Sequence, residues 1–141
     1  MNARTLLLGL IPLVSLSCGS ASPVKVNAGD QCFRCRRTIG DTRVAGEIIN
    51  GGLATKYRGP GCLAKYLAAH ADETGAIFVT DFATGKLFPA DRGAYVPVVV
   101  DPNTGETDYR AYKAKTTADE AARELKTVAV DWSTVLVRAK G

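Results

Sequence analysis

A two-glycine turn between two apolar segments is the feature that most constrains how this chain can fold. Asn50-Gly51-Gly52 joins residues 43–49, which alternate toward apolar residues, to the similar segment 53–58. Tight turns between paired strands need residues that tolerate a positive φ, and Asn and Gly do so most readily. The sequence therefore predicts an antiparallel β-hairpin at this place.

A helix and a third strand are predicted after the hairpin. Gly59-Pro60-Gly61 ends the second strand and opens the helix. Four residues of this helix recur at the spacing of one helical face, namely Leu63, Tyr66, Leu67 and His70. Residues 76–81 form the next strand, so the order of elements is strand, strand, helix, strand.

The second half of the chain repeats this order more loosely. Its predicted strands are residues 86–89, 95–100, 108–113 and 130–137. Pro97 indicates a sheet edge or a bulge, and Thr117-x-x-Glu120 is typical of a capping box at a helix start. The sequence thus predicts an α+β fold with two small ββαβ units packed together, at about residues 30–84 and 85–141.

The N-terminal residues are typical of an export signal. Arg4 precedes an apolar stretch of eleven residues, 6–16, which is too short to span a membrane. Cys18 follows Val14-Ser15-Leu16-Ser17, which is a relaxed lipobox. This placement favours a lipoprotein whose lipidated first residue is Cys18 over ordinary cleavage near Ala21.

We therefore expect residues 1–17 to be a lipoprotein signal peptide and Cys18 to be the lipidation site. Residues 18–29 are small and polar, with Pro and Gly, and are predicted to form a flexible tether before a domain at 30–141. Gly19 stands where an Asp would act as a retention signal. In a cell with two membranes this favours the outer membrane.

The charge pattern argues against a nucleic-acid-binding protein. The chain has 141 residues and a net charge of +4. Its basic residues are scattered except for Arg34, Arg36 and Arg37, whereas a nucleic-acid interface needs a stronger cluster with interleaved aromatic residues. No motif for acyl transfer, phosphate binding, dinucleotide binding or zinc-dependent hydrolysis is present, so we expect a protein that is not an enzyme.

Three cysteines of the predicted domain point to a site for a soft metal. Cys32 and Cys35 form a CxxC loop directly before the hairpin, and Cys62 lies in the first turn of the predicted helix. A helix N-terminus lowers the pKa of a thiol, and nearby arginines would do the same for the CxxC pair. Three thiolates suit Cu(I) or Zn(II), so these cysteines are the predicted metal ligands.

Spacing alone leaves other uses of these cysteines open. A disulfide, Cys32–Cys35 or Cys35–Cys62, is as compatible with an oxidising exported compartment as a metal site. A thioredoxin-like redox pair fits less well, because that motif opens a helix and this one leads into a hairpin. His70 lies about 12 Å along the helix from Cys62, so we expect it to meet the helix end or solvent rather than share a metal.

Several short segments, in their order and spacing, carry a family resemblance. They are Cys32-x-x-Cys35 with Ile39, Lys56-Tyr57 with Cys62-Leu63 and Tyr66, Ile77-Phe78-Val79-Thr80-Asp81-Phe82, Ala94-Tyr95-Val96, Ala111-Tyr112 and Asp131-Trp132. With the lipoprotein signal, they resemble the NosL family of copper-binding lipoproteins accessory to nitrous oxide reductase. The resemblance implies two ββαβ units and a metallochaperone that holds Cu(I) outside the cytoplasm.

The chain departs from this family's pattern in its methionines. Arg37 stands where NosL-type motifs usually have Met, and residues 98–105 stand where they tend to carry Pro-Met-Gly. Met1 is the only methionine, and the predicted cleavage removes it. Thioether ligation is then excluded, so a Cu(I) site must use the three cysteines. Alternatively, the copper function has been lost or zinc has replaced copper.

The expected function is therefore that of an exported, lipid-anchored Cu(I) metallochaperone on the periplasmic side of the membrane. It would deliver copper to an extracytoplasmic cuproenzyme such as nitrous oxide reductase. The expected partners are the membrane, through an acyl anchor on Cys18, and the recipient enzyme or its assembly factors. The alternative is an exported structural or interaction lipoprotein, in which a disulfide stabilises a small core and no metal binds.

Overall fold

A computed structural model describes residues 19–141, so the predicted signal peptide 1–17 and Cys18 lie outside the described residues. The described strands are β1 Gly46–Asn50, β2 Leu53–Tyr57, β3 Ala76–Thr80, β4 Leu87–Pro89, β5 Ala94–Asp101, β6 Glu106–Tyr112 and β7 Val130–Asp131. The helices are α1 Pro60–Ala69, α2 Lys115–Glu124 and α3 Trp132–Arg138. None of these helices is long and apolar enough to cross a membrane.

The first sheet is antiparallel and has the strand order β2-β1-β3-β4. The predicted hairpin is confirmed, because β1 and β2 are joined by Gly51 and Gly52, whose φ angles are 57° and 80°. A residue with a Cβ atom is strained at such angles. The two glycines therefore allow the tight turn that sets Gly46 opposite Tyr57.

The second sheet is also antiparallel and has the order β6-β5-β7. β7 pairs only with Ala94 and Tyr95, so Pro97 lies where β5 has a single neighbour, β6. Proline lacks a backbone donor and is tolerated at such an edge. The edge predicted at Pro97 is therefore confirmed, and the pairing of β5 with β6 is irregular further along, between Val99 and Asp101.

The mixed α+β class predicted from the sequence is confirmed. The order strand, strand, helix, strand occurs as β1-β2-α1-β3 and again as β5-β6-α2-β7. In each case the third strand pairs with the first. The short strand at 86–89 was grouped with the second half, but β4 pairs with β3 and extends the first sheet. A tight turn ending at Gly85, with φ 71°, reverses the chain between these two strands.

Two further secondary-structure predictions were wrong. Residues 130–137 were predicted as a strand, but only β7 is extended, and α3 begins at Trp132. The side chain of Asp131 accepts a hydrogen bond from the Thr134 N–H and so caps α3. This cap outweighs the preference of the following β-branched residues for a strand. Thr117 does not cap α2, because this helix begins two residues earlier at Lys115 with no side-chain cap.

A shared core joins the two sheets through α1, which packs against both, and through α3, which packs against α1 and the second sheet. Its buried side chains include Ile39, Ile48, Tyr57, Leu63, Val79, Phe88, Tyr95, Trp132 and Val135. A smaller cluster of Val96, Tyr112, Ala118 and Ala122 lies where α2 packs on the second sheet. Because one core spans both halves, the halves hold each other in place around α1.

The segment predicted as a flexible tether is packed against the domain over its second part. Val26 is buried in the shared core, and the Val24 N–H donates a 2.6 Å hydrogen bond to the Glu47 carboxylate. The Gly29 N–H donates to the Ile39 carbonyl. Residues 24–29 are therefore held against the domain, because the core buries the side chain of Val26 and backbone groups of Val24 and Gly29 form hydrogen bonds with it.

Candidate metal centre

A tight loop places Cys32 and Cys35 close together. The Arg36 N–H donates to the Cys32 carbonyl and the Cys32 N–H donates to the Arg37 carbonyl, both at 2.9 Å. The Phe33 N–H donates to the Lys56 carbonyl at 2.7 Å, which fixes the loop to β2. The backbone thus holds the CxxC segment in one conformation beside the first sheet.

Cys62 is brought to this loop by the start of α1, which an acid from the second sheet holds in place. The Asp108 carboxylate on β6 accepts a 2.7 Å hydrogen bond from the Gly61 N–H and another from the Tyr109 N–H. A Cβ atom on Gly59 would overlap this carboxylate, so the close approach requires glycine there. The first turn of α1, and Cys62 with it, is therefore positioned by a long-range cap.

The three sulfur atoms lie within 4.8 Å of one another. Cys32 Sγ and Cys62 Sγ are 3.5 Å apart. Sulfurs bound to one metal at about 2.3 Å in tetrahedral directions are separated by about 3.8 Å. Small side-chain movements therefore suffice for the three cysteines predicted from the sequence to hold one metal ion.

The three thiols differ in their access to solvent. Cys32 and Cys62 are buried, with 0% and 4% of their surface exposed, and Cys35 is half-buried. Three aromatic rings, Phe33, Tyr57 and Tyr66, pack against one another beside them. A metal held here would be shielded on most sides, and Cys35 is the ligand that an incoming group would meet first.

The thiols also differ in acidity. Burial opposes ionisation of Cys35, but hydrogen bonds from the Arg37 backbone, the other two thiols and the Arg58 side chain outweigh it and lower the pKa of Cys35. Burial, with Cys32 as a close neighbour, raises the pKa of Cys62 to about 12. The expectation that the helix N-terminus would lower the pKa of Cys62 was therefore wrong, because burial is the stronger effect.

The arginines of the loop take different positions around the sulfurs. Arg34 Nη1 lies 4.0 Å from Cys62 Sγ. The Arg36 guanidinium lies over the Phe33 ring, and Arg37 forms an ion pair with Glu106. Arg58, which the sequence analysis did not single out, pairs with the same Glu106. Only one of the three predicted arginine side chains thus reaches a sulfur.

His70 is not part of the sulfur cluster, which consists of the three cysteines. It ends α1, stacks on Tyr66 with ring centroids 4.0 Å apart, and has Nδ1 2.8 Å from the Tyr66 carbonyl oxygen. The described residues contain no methionine, so thiolates are the soft donors on offer. Three thiolates at this spacing can bind a metal ion, and their softness fits Cu(I) or Zn(II).

The two disulfides considered from the sequence are not formed. Cys32, Cys35 and Cys62 are all free thiols in the described part of the chain. The pair at 3.5 Å, Cys32 with Cys62, is neither of the pairs considered, and its separation is well beyond the S–S bond length of about 2.05 Å.

Asp108 and Arg58 are the site residues that the sequence analysis missed. Asp108 is 47 positions from Gly61, and no local pattern marks it as a cap. Arg58 is the last residue of the predicted second strand and carried no motif, although its place directly before the Gly59-Pro60-Gly61 break was a possible signal. Both residues act through contacts with segments that are distant in the sequence.

Comparison with protein-family models, curated protein sequences and solved structures gives no match to this chain. The functional argument therefore rests on the residues of the site.

Proposed function

We propose that this protein is an exported, lipid-anchored metallochaperone that binds one Cu(I) through Cys32, Cys35 and Cys62. It delivers the ion to an extracytoplasmic cuproenzyme, such as nitrous oxide reductase, or to the assembly factors of that enzyme. The observation that carries the proposal is the sulfur cluster, in which three cysteines from two separate segments lie within 4.8 Å.

The donor set favours Cu(I) over structural zinc. Structural zinc sites almost always have four protein ligands, whereas the described residues bring together three. Cu(I) is soft and is selected by thiolate ligands. Zn(II) could bind here only with a fourth ligand from outside the cluster, and it is the ion to compare with Cu(I) experimentally.

The unequal burial of the sulfurs supports delivery rather than permanent storage. Cys32 and Cys62 are buried and retain the ion, while Cys35 is half-buried and can exchange with an incoming ligand. One Cu(I) with three thiolates carries a net charge of −2, and Arg34 and Arg58 lie where they offset it. The acceptor's thiols would lose protons as the protein's thiolates regain them, and copper stays Cu(I) throughout.

The proposed anchor would keep the site close to the membrane. Val24 is fixed to Glu47, so only residues 19–23 separate a lipidated Cys18 from the folded domain. Five to six extended residues span about 20 Å. The protein would thus work within about that distance of the lipid headgroups, beside a membrane-associated recipient.

Anaerobic Cu(I) titration against a competing chelator tests the metal proposal, with Zn(II) titrated in parallel. We expect one tightly bound Cu(I), a large loss of affinity in Cys32→Ser and Cys35→Ser, and no loss in the matched Ser133→Ala variant on α3. No Cu(I) binding by the fully reduced protein would refute it. Labelling with radioactive palmitate, lost in Cys18→Ser, tests the anchor separately.

A second function is favoured by the 3.5 Å separation of Cys32 and Cys62. Oxidation would join these two thiols and leave Cys35 free, which gives a structural or interaction lipoprotein with no metal role. Counting free thiols in protein purified from the exported compartment without reductant separates the two functions. Three free thiols, or a bound metal, support the chaperone, and one free thiol supports the disulfide protein.

A further inference from the structure

Three exposed arginines and an exposed phenylalanine flank Cys35 in its loop. Phe33, Arg34, Arg36 and Arg37 are all exposed, and Phe33 leaves 40% of its surface in solvent. We call residues 33–37 the arginine loop. Their side chains form the exposed surface next to the one cysteine of the cluster that is not buried.

A strained backbone at Arg36 indicates that the positive charge of the arginine loop has a function. Arg36 has φ 62°, in the left-handed region where Gly, Asn and Asp are the usual residues. A long side chain here is strained, and such outliers tend to persist at functional sites. The Arg36 guanidinium lies over the exposed Phe33 ring, so the strained residue forms part of the exposed surface of the arginine loop.

The positive charge of the loop is largely uncompensated. Glu106 is shared between Arg37 and Arg58. Within residues 19–141, neither Arg34 nor Arg36 has a carboxylate in salt-bridge distance, as the other ion pairs involve Arg43, Lys56 and Lys115. With Arg34 and Arg58 offsetting the charge of a copper-loaded site and Arg37 paired with Glu106, Arg36 still leaves a net positive charge beside the exposed Phe33 ring.

We propose that the arginine loop is the docking surface for an acidic protein that receives the metal from Cys35. This inference rests on the proposed chaperone function and names the chemistry of its recipient. The recipient has carboxylates around its own thiol or other soft ligand. Opposite charges speed the encounter and orient that ligand toward the half-buried sulfur.

A protein fits this surface better than an anionic membrane does. The arginines flank the one cysteine of the cluster that is not buried, so an occupant of this loop lies next to the metal ligand that can exchange. A lipid headgroup supplies negative charge but no soft ligand that could take Cu(I) from thiolates. An acidic protein with a thiol can supply both.

The test uses two synthetic acceptor peptides that differ only in charge. Each contains a Cys-x-x-Cys pair, flanked by glutamates in one peptide and by glutamines in the other. Stopped-flow measurement follows Cu(I) transfer from the loaded protein at increasing ionic strength. We expect the acidic peptide to accept copper about tenfold faster or more at low salt, and the difference to vanish at high salt.

Matched variants locate the effect on the protein. Arg36→Asn with Arg37→Gln removes two charges from the arginine loop, and Asn tolerates the left-handed backbone. Lys86→Gln with Lys140→Gln removes two exposed charges elsewhere. Lys86 directly precedes β4, at the opposite edge of the first sheet from β2, and Lys140 lies beside His70 at the other end of α1 from Cys62. We expect the first pair to abolish the preference for the acidic peptide and the second pair to retain it.

Two results would overturn the docking proposal, namely equal transfer rates to both peptides, or an unchanged preference in the arginine-loop variant. Salt-sensitive binding to phosphatidylglycerol vesicles with equal peptide rates would assign the loop to the membrane instead. Docking is also measured without metal, by NMR titration with acidic and neutral peptides in which Ser replaces Cys. Shifts at residues 33–37 with the acidic peptide alone support the proposal, and their absence overturns it, even if the protein fails to load copper.

Discussion

Replacing Asp108 by alanine should destabilise the protein and loosen the metal centre together. The Asp108 carboxylate accepts hydrogen bonds at 2.7 Å from the buried Gly61 N–H and at 2.8 Å from the Tyr109 N–H. A buried donor left without an acceptor costs about 1–3 kcal/mol, and losing a helix cap costs about 0.5–2 kcal/mol. Both costs describe the same hydrogen bond to the Gly61 N–H and are not additive, so we expect the free energy of unfolding to fall by about 2 kcal/mol.

Urea unfolding measures this loss directly. With a urea dependence of about 2 kcal/mol per molar, the midpoint should fall by about 1 M. Asp108→Asn keeps an acceptor oxygen and should lose less than half as much, while Asp72→Ala at an exposed position serves as the control. Cu(I) affinity should fall with stability in Asp108→Ala, because Cys62 follows Gly61. An unchanged midpoint, or equal losses in the alanine and asparagine variants, would refute this account of the α1 cap.

Three further predictions follow from buried or capped groups. Burial raises the pKa of Glu47 above 4.5, so the folded state binds this proton more tightly, and stability should fall as the pH rises from about 4.5 to the folded-state pKa. Glu47→Gln should remove this pH dependence of the free energy of unfolding, measured by urea unfolding from pH 4 to 8. An identical pH dependence in the variant and the wild type would contradict the prediction. Iodoacetamide should modify Cys35 about tenfold faster or more than Cys62, whose pKa is raised to about 12, as mass spectrometry of partly labelled protein can show. Asp131→Ala should cost about 1 kcal/mol by loss of the α3 cap, and an Asp72→Ala variant of wild-type stability, at an exposed position, is the matched control.

The metal centre was only partly predictable from the sequence. The CxxC spacing and the position of Cys62 at a helix start identified the three thiols, and the fold brings their sulfurs together. The acidity of Cys62 was predicted in the wrong direction, because a helix N-terminus is visible in the sequence but burial is not. The charge on the arginine loop was visible, but its partner Glu106 was not.

The fold shows the same division. The hairpin, α1 and the α+β class followed from turn residues and from hydrophobic periodicity, which act over a few neighbouring residues. The short α3 was missed because its apolar residues are equally compatible with a strand, and one cap at Asp131 decided between the two. The placement of β4 depended on a turn whose direction the sequence left open.

What the sequence determined by itself was therefore the set of local elements and the identity of the chemically active residues. Only the tertiary structure decided which of those residues meet, which thiol faces solvent and which acid holds the start of α1. The physical reason is range. Turn chemistry and periodicity depend on residues that are close together in the sequence. The approach of Cys32 to Cys62, and of Asp108 to Gly61, depends instead on how distant segments pack in the core.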